Sequence, residues 1–203
     1  MSRGLDTMTN CTSKASSIKS EGYDFVCRYY NTNNTSKNLT LAEAKALSNA
    51  GLYIVPIWEN GYPTSASYFS KSKGLSDGAA AYAYAKNTIG QPGLSVIYFA
   101  VDYDASTSDI SGVITEYFNG VCEAFKSAGG NYGIGVYGSG AVCEYICKTV
   151  VQVGYTWLAQ STGWAGYSKY KNWNIKQGAS CMVAGVSCDS DTSNDNAGGF
   201  KIS

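Results

Sequence analysis

Eight short apolar runs, most of them separated by helical patterns, constrain the fold of this chain more than any other feature. Each run is rich in β-branched or aromatic residues and has the length of a strand. The runs cover residues 4–6, 24–30, 52–59, 95–104, 132–139, 155–160, 173–177 and 183–189. Because strands that alternate with helices form βα units, we predict an α/β fold on a parallel sheet, a TIM-like (β/α) barrel.

Helical patterns occupy several of the segments between these runs. Thr40 and Glu43 match a capping box, in which the hydroxyl accepts from a backbone N–H and the glutamate reaches back, and Gly51 suits the end of that helix. Three further patterns cover residues 79–87, 110–125 and 141–150. The last three runs are joined by loops too short for crossover helices, so we expect an irregular, helix-poor C-terminal third.

The chain has the length of one barrel and shows no internal boundary. Its 203 residues can bury one sizeable core, and no linker rich in Pro, Gly and Ser divides them. We therefore predict a single domain over residues 1–203. Polar segments 31–38 and 62–78 are predicted surface loops, and both follow strands on the side where a barrel places its functional residues.

Charge and hydropathy exclude several classes of partner. Lys+Arg and Asp+Glu number 15 each, so no basic field is available for nucleic acid. The longest apolar stretches, 52–58 and 96–101, are far shorter than the roughly 20 residues that cross a bilayer. Residues 1–10 lack the pattern of a secretory signal peptide, so we expect another export route or a domain of a larger protein.

The chain contains no histidine, which removes much of the usual hydrolytic chemistry. Ser-His-Asp and Cys-His systems lose their base, and zinc peptidases lose their usual ligands. We expect no metal and no cofactor. Carboxylate chemistry remains for acid and base work.

Seven cysteines are many for a cytosolic protein, and none forms a CxxC pair. Cys143 and Cys147 share a predicted helix face, where we favour buried thiols over a metal pair. Cys181 and Cys188 flank a predicted turn and would bridge only if the protein meets an oxidising compartment.

Acidic residues end four of the predicted strands, at the edge where a parallel barrel carries its catalytic groups. These residues are Asp6, Glu59, Asp102, Asp104, Asp189 and Asp191. Strand alternation would place Asp102 and Asp104 on one face, about 6.5 Å apart. Two carboxyls in one poorly solvated pocket retain a proton near neutral pH, which supplies an acid beside a base. The alternative is that such aspartates only cap a helix or close a turn.

One glycine-rich segment imitates a dinucleotide-binding motif. Gly133, Gly135 and Gly138 match G-x-G-x-x-G, but they lie inside an apolar strand pattern rather than in a turn that opens a helix. We interpret them as small residues in a thin barrel wall, where a helix or Tyr137 can approach closely.

The order of several short motifs resembles one enzyme family along nearly the whole chain. The motifs are Gly4-Leu-Asp6, Tyr98-Phe-Ala-Val-Asp102-Tyr-Asp104, Gly133-Ile-Gly-Val-Tyr137, Trp157-Leu-Ala-Gln160 and Asp189-Ser-Asp191. Together they resemble family 25 glycoside hydrolases, the muramidases of phages, bacteria and fungi. They are more similar still to the glycoside-hydrolase-like TIM-barrel domains related to that family.

The resemblance implies roles for the acidic residues. In the muramidases the motif on this strand is Asp-x-Glu, with the glutamate as proton donor, and this chain has Asp104 there. Either Asp104 or Glu59 would then be the acid, with Asp102 as stabiliser or base. Asp6 and Asp189 would orient the site and tune the pKa values. Retention, inversion and assistance by the substrate remain open.

Aromatic residues suit a sugar-binding groove, because their rings stack on sugars and their polar groups bind hydroxyls. The expected substrate contacts are Trp58, Tyr103, Tyr137, Trp157, Gln160 and Asp191. For each aromatic residue, packing in the core is the alternative.

The leading hypothesis is a muramidase-like glycosidase that hydrolyses β-1,4 amino-sugar linkages of peptidoglycan or a related polysaccharide, outside the cell or in the periplasm. A second hypothesis is a catalytically inactive glycan-binding domain of a cell-wall-targeted protein, suggested by aspartate at the donor position. A third is an interaction module of a secretion or lysis protein, which would bind no glycan.

Overall fold

Residues 1–194 and 196–203 are described by a computed structural model, and they contain a closed barrel of eight strands in chain order. The strands are β1 (Ser2–Asp6), β2 (Phe25–Tyr30), β3 (Tyr53–Trp58), β4 (Val96–Ala100), β5 (Gly133–Gly138), β6 (Val153–Leu158), β7 (Ile175–Val183) and β8 (Val186–Ser193). The predicted TIM-like barrel is thus confirmed.

The last strand runs against the others, an irregularity that the prediction of a parallel sheet did not specify. β8 pairs antiparallel with both β7 and β1. The cause is the turn between β7 and β8, where Ala184 and Gly185 both have positive φ, 51° and 78°. A two-residue turn of this kind reverses the chain and joins adjacent antiparallel strands. The predicted helix-poor final third is confirmed, because turns alone link β6, β7 and β8.

Helices cover the outside of the barrel. They are α1 (Ala15–Ser20), α2 (Leu41–Asn49), α3 (Lys71–Ala83), α4 (Thr107–Asp109), α5 (Thr115–Ala128) and α6 (Gly140–Thr149). Wider π-type turns extend α3 over Tyr84–Ile89 and join α4 to α5 over Ile110–Ile114. Two short 3-10 turns lie at Thr35–Lys37 and Ala66–Tyr68.

The capping of α2 follows the sequence prediction in part. Thr40 Oγ1 accepts from the backbone N–H of Glu43 at 3.2 Å, and Gly51 has φ 84° just beyond the helix end. Glu43 does not reach back to Thr40 as predicted. Its fully buried carboxylate instead pairs with Arg28 of β2, at 2.8 Å from Nε and 3.1 Å from Nη2.

Helix α3 begins earlier than predicted, inside a segment that we expected to be a loop. Gly74 argues against a helix by propensity, yet a Cβ there would lie 1.9 Å from the carbonyl oxygen of Tyr117. A Cβ at Gly120 of α5 would lie 2.2 Å from the carbonyl oxygen of Lys71 in α3. These glycines therefore let α3 and α5 touch backbone to backbone, and tertiary packing outweighs propensity.

Strand alternation divides the core into two layers. One layer lies between the strands and the helices, and the other fills the barrel with Phe25, Cys27, Val55, Ile57, Val96, Tyr98, Ala100, Trp157 and Ile175. The glycines of β5 belong to the barrel wall, since a Cβ at Gly135 would lie 2.4 Å from the Tyr98 ring. The interpretation of this motif as strand is confirmed, although the ring that approaches is Tyr98 and not Tyr137.

Two strands end before the acidic residues that were assigned to them. β3 ends at Trp58 and β4 at Ala100, so Glu59, Asp102 and Asp104 lie in the loops that follow. No helix in the described part of the chain is both long and apolar enough to cross a bilayer.

Candidate active site

A cleft of about 270 Å³ opens at the barrel end where the parallel strands finish. It is lined by Asp6, Tyr29, Ile57, Glu59, Asp102, Tyr137, Trp157, Gln160, Ser161, Gln177 and Asp189. Four of the predicted acidic residues thus meet in one place, from sequence positions as distant as 6 and 189.

The barrel topology brings these carboxyls together. Asp6 ends β1, Glu59 directly follows β3, and Asp102 is the second residue after β4, so all three reach the same rim. Asp189 lies inside β8 and not at its end, but it pairs directly with Asp6 in the antiparallel register. The reversed direction of β8 therefore places a residue from the middle of that strand at the rim.

The amide of Gln177 joins two of these carboxyls. Its Nε2 donates to Asp6 Oδ2 at 2.8 Å and lies 3.4 Å from Asp189 Oδ2. Its Oε1 accepts from Tyr137 Oη at 3.0 Å and from the backbone N–H of Gln160 at 3.3 Å. Gln177 is 6% exposed, so this amide holds the cleft floor in a fixed arrangement.

Asp191 lies beneath the floor and contacts Asp6. It is 4% exposed, and its Oδ1 accepts from the indole Nε1 of Trp157 at 3.0 Å. Its carboxyl is close enough to that of Asp6 for each to shift the pKa of the other, and no donor in the described chain reaches Asp191 Oδ2. Two acidic groups buried side by side do not both ionise readily near neutral pH.

Burial gives Asp6 a strongly perturbed titration. It raises the pKa of Asp6 from 3.8 to about 7, against the opposing effect of the Gln177 hydrogen bond, and the charge of Asp189 adds to the increase. Burial and the nearby charge of Asp6 likewise raise the pKa of Asp191. The cleft thus holds a protonated carboxyl near neutral pH.

Glu59 has a different electrostatic environment. Lys37, in the loop after β2, places its Nζ 2.8 Å from Glu59 Oε1, and its ammonium also lies 4.5 Å from the centre of the Tyr29 ring. Lys37 therefore balances the negative charge of Glu59. The pKa of Asp102 is raised by burial and by the charge of Glu59, although Lys37 lowers it.

Gln160 and two rings form one wall of the cleft. Tyr137 and Trp157 pack edge to face, with ring centres 5.2 Å apart. Gln160 Nε2 donates to Asp189 Oδ2 at 3.2 Å. The structure thus places Tyr137, Trp157 and Gln160 at the cleft, as the sequence predicted.

The structure does not bring four other predicted residues to the cleft, and one of them, Asp191, lies beneath its floor at 4% exposure. Asp104 is exposed outside it, and its Oδ1 accepts from the backbone N–H of Ala165 at 2.8 Å. Alternation does not pair it with Asp102, because β4 has already ended. Trp58 is 1% exposed and packs in the outer core layer, and Tyr103 stacks on Phe69 and bonds Asp109. Their predicted placement at the cleft was wrong.

Sequence reasoning missed Gln177, Lys37 and Tyr29. Gln177 ends a predicted strand just as the acidic residues do, so its position was an available signal. Tyr29 alternates with Cys27 on the inner face of β2. Lys37 reaches the cleft only through the path of its loop, for which the sequence contains no periodic signal.

The arrangement provides carboxyl groups that can donate and accept protons. Asp6, which keeps its proton up to about pH 7, lies in the same cleft as the ion-paired Glu59. The charge of Glu59 in turn raises the pKa of Asp102. Among residues 1–194 and 196–203, no three His, Cys, Asp or Glu side chains are arranged to hold a metal ion. One carboxyl can therefore donate a proton while another stabilises positive charge or accepts a proton.

Comparisons with known proteins agree with this barrel. The family described as Rv2525c-like, glycoside hydrolase-like domain matches residues 16–192. The Bacillus subtilis (strain 168) protein FadG is 33% identical over 203 residues, and the match covers 96% of this chain and 35% of FadG. The chain thus spans about a third of the length of that relative.

Two solved structures share the fold. The Tat-secreted protein Rv2525c of Mycobacterium tuberculosis, crystallised with L-tartrate, has a TM-score of 0.79 at 20% identity, with 98% of each chain covered. GHIP, a family 25 glycosyl hydrolase of Streptococcus pneumoniae, has a TM-score of 0.62 at 12% identity, covering 96% of this chain and 87% of GHIP. The relation to family 25 that the sequence motifs predicted is thereby confirmed at the level of the fold. The chain belongs to the Rv2525c-like, glycoside hydrolase-like domain family.

Proposed function

We propose that this chain is a glycosidase that hydrolyses β-1,4 amino-sugar linkages in peptidoglycan. The observation that supports this most is the pairing of a protonated carboxyl, Asp6, with an ion-paired carboxylate, Glu59, in one cleft. Glycoside hydrolysis requires one carboxyl that protonates the leaving oxygen and a second that acts as nucleophile, base or stabiliser.

The roles follow from the environment of each carboxyl. Asp6 is the proton donor, because burial and the nearby charge of Asp189 raise its pKa to about 7. Glu59 is the carboxylate that faces the developing positive charge, because Lys37 holds it at 2.8 Å. Asp102 supports Glu59, and Asp189 and Gln177 fix Asp6. Asp104, exposed outside the cleft, has no part in the reaction.

The wall of the cleft suits a sugar. Tyr29 and Tyr137 provide partly exposed rings, and Gln160 provides an amide at the edge of the carboxyl cluster. Trp157 is 1% exposed and supports the Tyr137 ring from the core. Rings beside a few polar groups bind the apolar face of a sugar and orient its hydroxyls. The substrate contacts are therefore Tyr29, Tyr137 and Gln160.

The proposed place of action is outside the cytoplasm, in the extracellular space or the periplasm. The fold neighbour Rv2525c is a Tat-secreted protein, and a peptidoglycan substrate lies beyond the membrane. The match to one third of FadG supports the proposal that such a barrel works as one domain of a longer protein.

One observation favours a second candidate, a barrel that binds glycan and leaves it intact. The position where the muramidases have a proton-donating glutamate is Asp104 here, and its side chain lies outside the cleft. Under this alternative the carboxyl cluster would only bind sugar hydroxyls.

Mass spectrometry of soluble fragments released from purified peptidoglycan tests both candidates. The wild-type chain should release glycan fragments with new reducing ends, and Asp6→Asn and Glu59→Gln should each release at least about a hundredfold less. Asp104→Asn is the matched control and should keep most of the activity. Equal release by all four proteins would overturn the proposal, whereas binding to peptidoglycan without any fragments would favour the second candidate.

A further inference from the structure

The β7–β8 hairpin brings two thiols together beside the cleft. Cys181 and Cys188 are directly paired in its register, and their Sγ atoms are 3.5 Å apart. Residues that face each other in an antiparallel pair have Cα atoms about 4.5–5.5 Å apart, which lies within the range that a disulfide spans. The backbone is therefore already in place for a bond between these two sulfur atoms.

This thiol pair adjoins the part of the hairpin that builds the cleft floor. The next residue pair in the register is Ser180 with Asp189, and the Ser180 hydroxyl donates to the Asp189 carboxylate. The register shifts between Gln177 and Ser180, where β7 has an extra residue. At such a bulge the extra residue is unpaired and the hydrogen bonding between the two strands is locally interrupted. A covalent link one pair away would fix the positions of Gln177 and Asp189.

Cys181 differs from Cys11, Cys27 and Cys143 in its exposure, whereas Cys122 and Cys147 are partly exposed as it is. Cys11, Cys27 and Cys143 are buried, and the Cys143 thiol points at backbone carbonyl oxygens of the barrel. Cys181 is partly exposed and can meet a solute, whereas Cys188 is buried behind it. An oxidant from solution would therefore reach Cys181 first.

We propose that Cys181 and Cys188 are a modification site, a reversible disulfide that ties β7 to β8 beside the cleft. The inference does not depend on the proposed hydrolysis, because it rests on the geometry of the hairpin alone. The chemical partner is an oxidant that contains a disulfide, either a small molecule or a protein thiol oxidase.

The reaction proceeds by two thiol–disulfide exchanges. The Cys181 thiolate attacks one sulfur of the oxidant, forming a mixed disulfide and releasing the first oxidant thiolate. Cys188 then loses its proton and attacks Cys181 Sγ, which breaks the mixed disulfide and releases the second thiolate. The two protons from the cysteines end on the two oxidant thiols, so the oxidant gains the two electrons that the cysteines lose. Burial raises the pKa of Cys188 to about 12, so the second exchange is the slow one.

Alkylation and peptide mass spectrometry test the site on the full chain. Cleavage after Lys176 and Lys201 gives a peptide 177–201 that contains these two cysteines and no others. Peptide 127–148, with Cys143 and Cys147, is the matched control. After incubation with oxidised glutathione, peptide 177–201 should resist both alkylations and be lighter by two hydrogens, while 127–148 forms no internal disulfide. Complete alkylation of 177–201, or bridging in 127–148 instead, would overturn the proposal.

Single variants and thermal unfolding test the order of reaction and the structural effect. Cys188→Ser should retain a glutathione adduct on Cys181, whereas Cys181→Ser should form none on Cys188. Oxidation should raise the Tm of the wild-type chain by about 2–8 °C and leave that of Cys188→Ser unchanged. An adduct on Cys188 in Cys181→Ser would contradict the proposed order. Equal Tm values for oxidised and reduced wild type would show that the bond does not tie the two strands.

Discussion

Asp6 of β1 and Asp189 of β8 are paired in register although their strands run in opposite directions. The amide of Gln177 lies between their carboxyls, at 2.8 Å from Asp6 and 3.4 Å from Asp189. Two carboxyls at such a position, Asp6 buried and Asp189 half-buried, repel each other unless a donor or a proton lies between them. The Gln177 amide supplies the donor, and burial keeps a proton on Asp6 up to about pH 7.

Replacing Gln177 with Met should misplace both carboxyls while keeping the volume of the side chain. Turnover should fall by about tenfold to a hundredfold, because small displacements of reacting groups are costly. Loss of the hydrogen bond that lowers the pKa of Asp6 should also shift the alkaline limb of the pH profile upward. Gln152→Met, at an exposed position, is the control. A variant with lower turnover and an unchanged pH profile would assign Gln177 a purely structural role.

Replacing Asp6 with Asn should make stability less dependent on pH. The folded chain keeps the Asp6 proton up to about pH 7, whereas the unfolded chain releases it near 3.8. The contribution of the Asp6 carboxyl to the free energy of unfolding is therefore fully present below about pH 4, and it is lost as the pH rises through about 7. The difference between the two pKa values corresponds to about 4 kcal/mol.

Urea unfolding at about pH 4 and about pH 8 measures this effect. From the lower to the higher pH, Asp6→Asn should gain stability relative to wild type. Asp24→Asn, at a half-exposed surface position, should not. Parallel pH dependence in wild type and Asp6→Asn would rule out a raised pKa for Asp6.

Replacing Lys37 with Met should change the pH profile at its acidic end. Lys37 lowers the pKa of Asp102, so its loss should raise that pKa further and move the acidic limb of activity to higher pH. Lys37→Arg should restore most of the wild-type profile because it keeps the charge. Lys45→Met, on the exposed face of α2, serves as the control. Identical pH profiles for Lys37→Met and wild type would show that Lys37 does not influence the titration of the site.

The contact between Lys37 and Glu59 could not be predicted from the sequence. Strand alternation and acidic strand ends predicted the barrel and the meeting of Asp6, Glu59, Asp102 and Asp189, because both depend on local periodicity. A loop such as 31–38 has no periodicity, so the contact between Lys37 and Glu59 depends on tertiary structure alone.

The predicted positions of the acidic residues at β4 and β8 were wrong for reasons that lie in the path of the chain. Alternation predicted that Asp102 and Asp104 share a face, but the chain leaves the sheet after Ala100 and the rule no longer applies. Asp189 was predicted at the end of a parallel strand, and it reached the cleft because the Ala184-Gly185 turn reversed that strand. Gln177 was not predicted because its amide has no acid or base chemistry of its own. It contributes only by holding the carboxyls of Asp6 and Asp189 in place.

Glu43→Gln should destabilise the fold far more than a surface substitution of the same type. The Arg28–Glu43 pair has no exposed side-chain surface, and removal of one charge leaves the other buried and unpaired, at a cost of about 3–5 kcal/mol. Glu144→Gln removes an exposed pair with Lys148 and should cost less than about 1 kcal/mol. Denaturant unfolding compares the two variants, and similar losses would contradict the buried pairing.

The central claim is that one carboxyl in the cleft keeps its proton near neutral pH. Carbon-13 NMR titration of the aspartate carboxyl groups, with Asp6→Asn to assign the resonance, measures this directly. One aspartate signal should titrate near pH 7 and disappear in the variant. If every aspartate signal titrates near the ordinary value of about 3.9, the cleft holds no retained proton, which would contradict the role of Asp6 as proton donor.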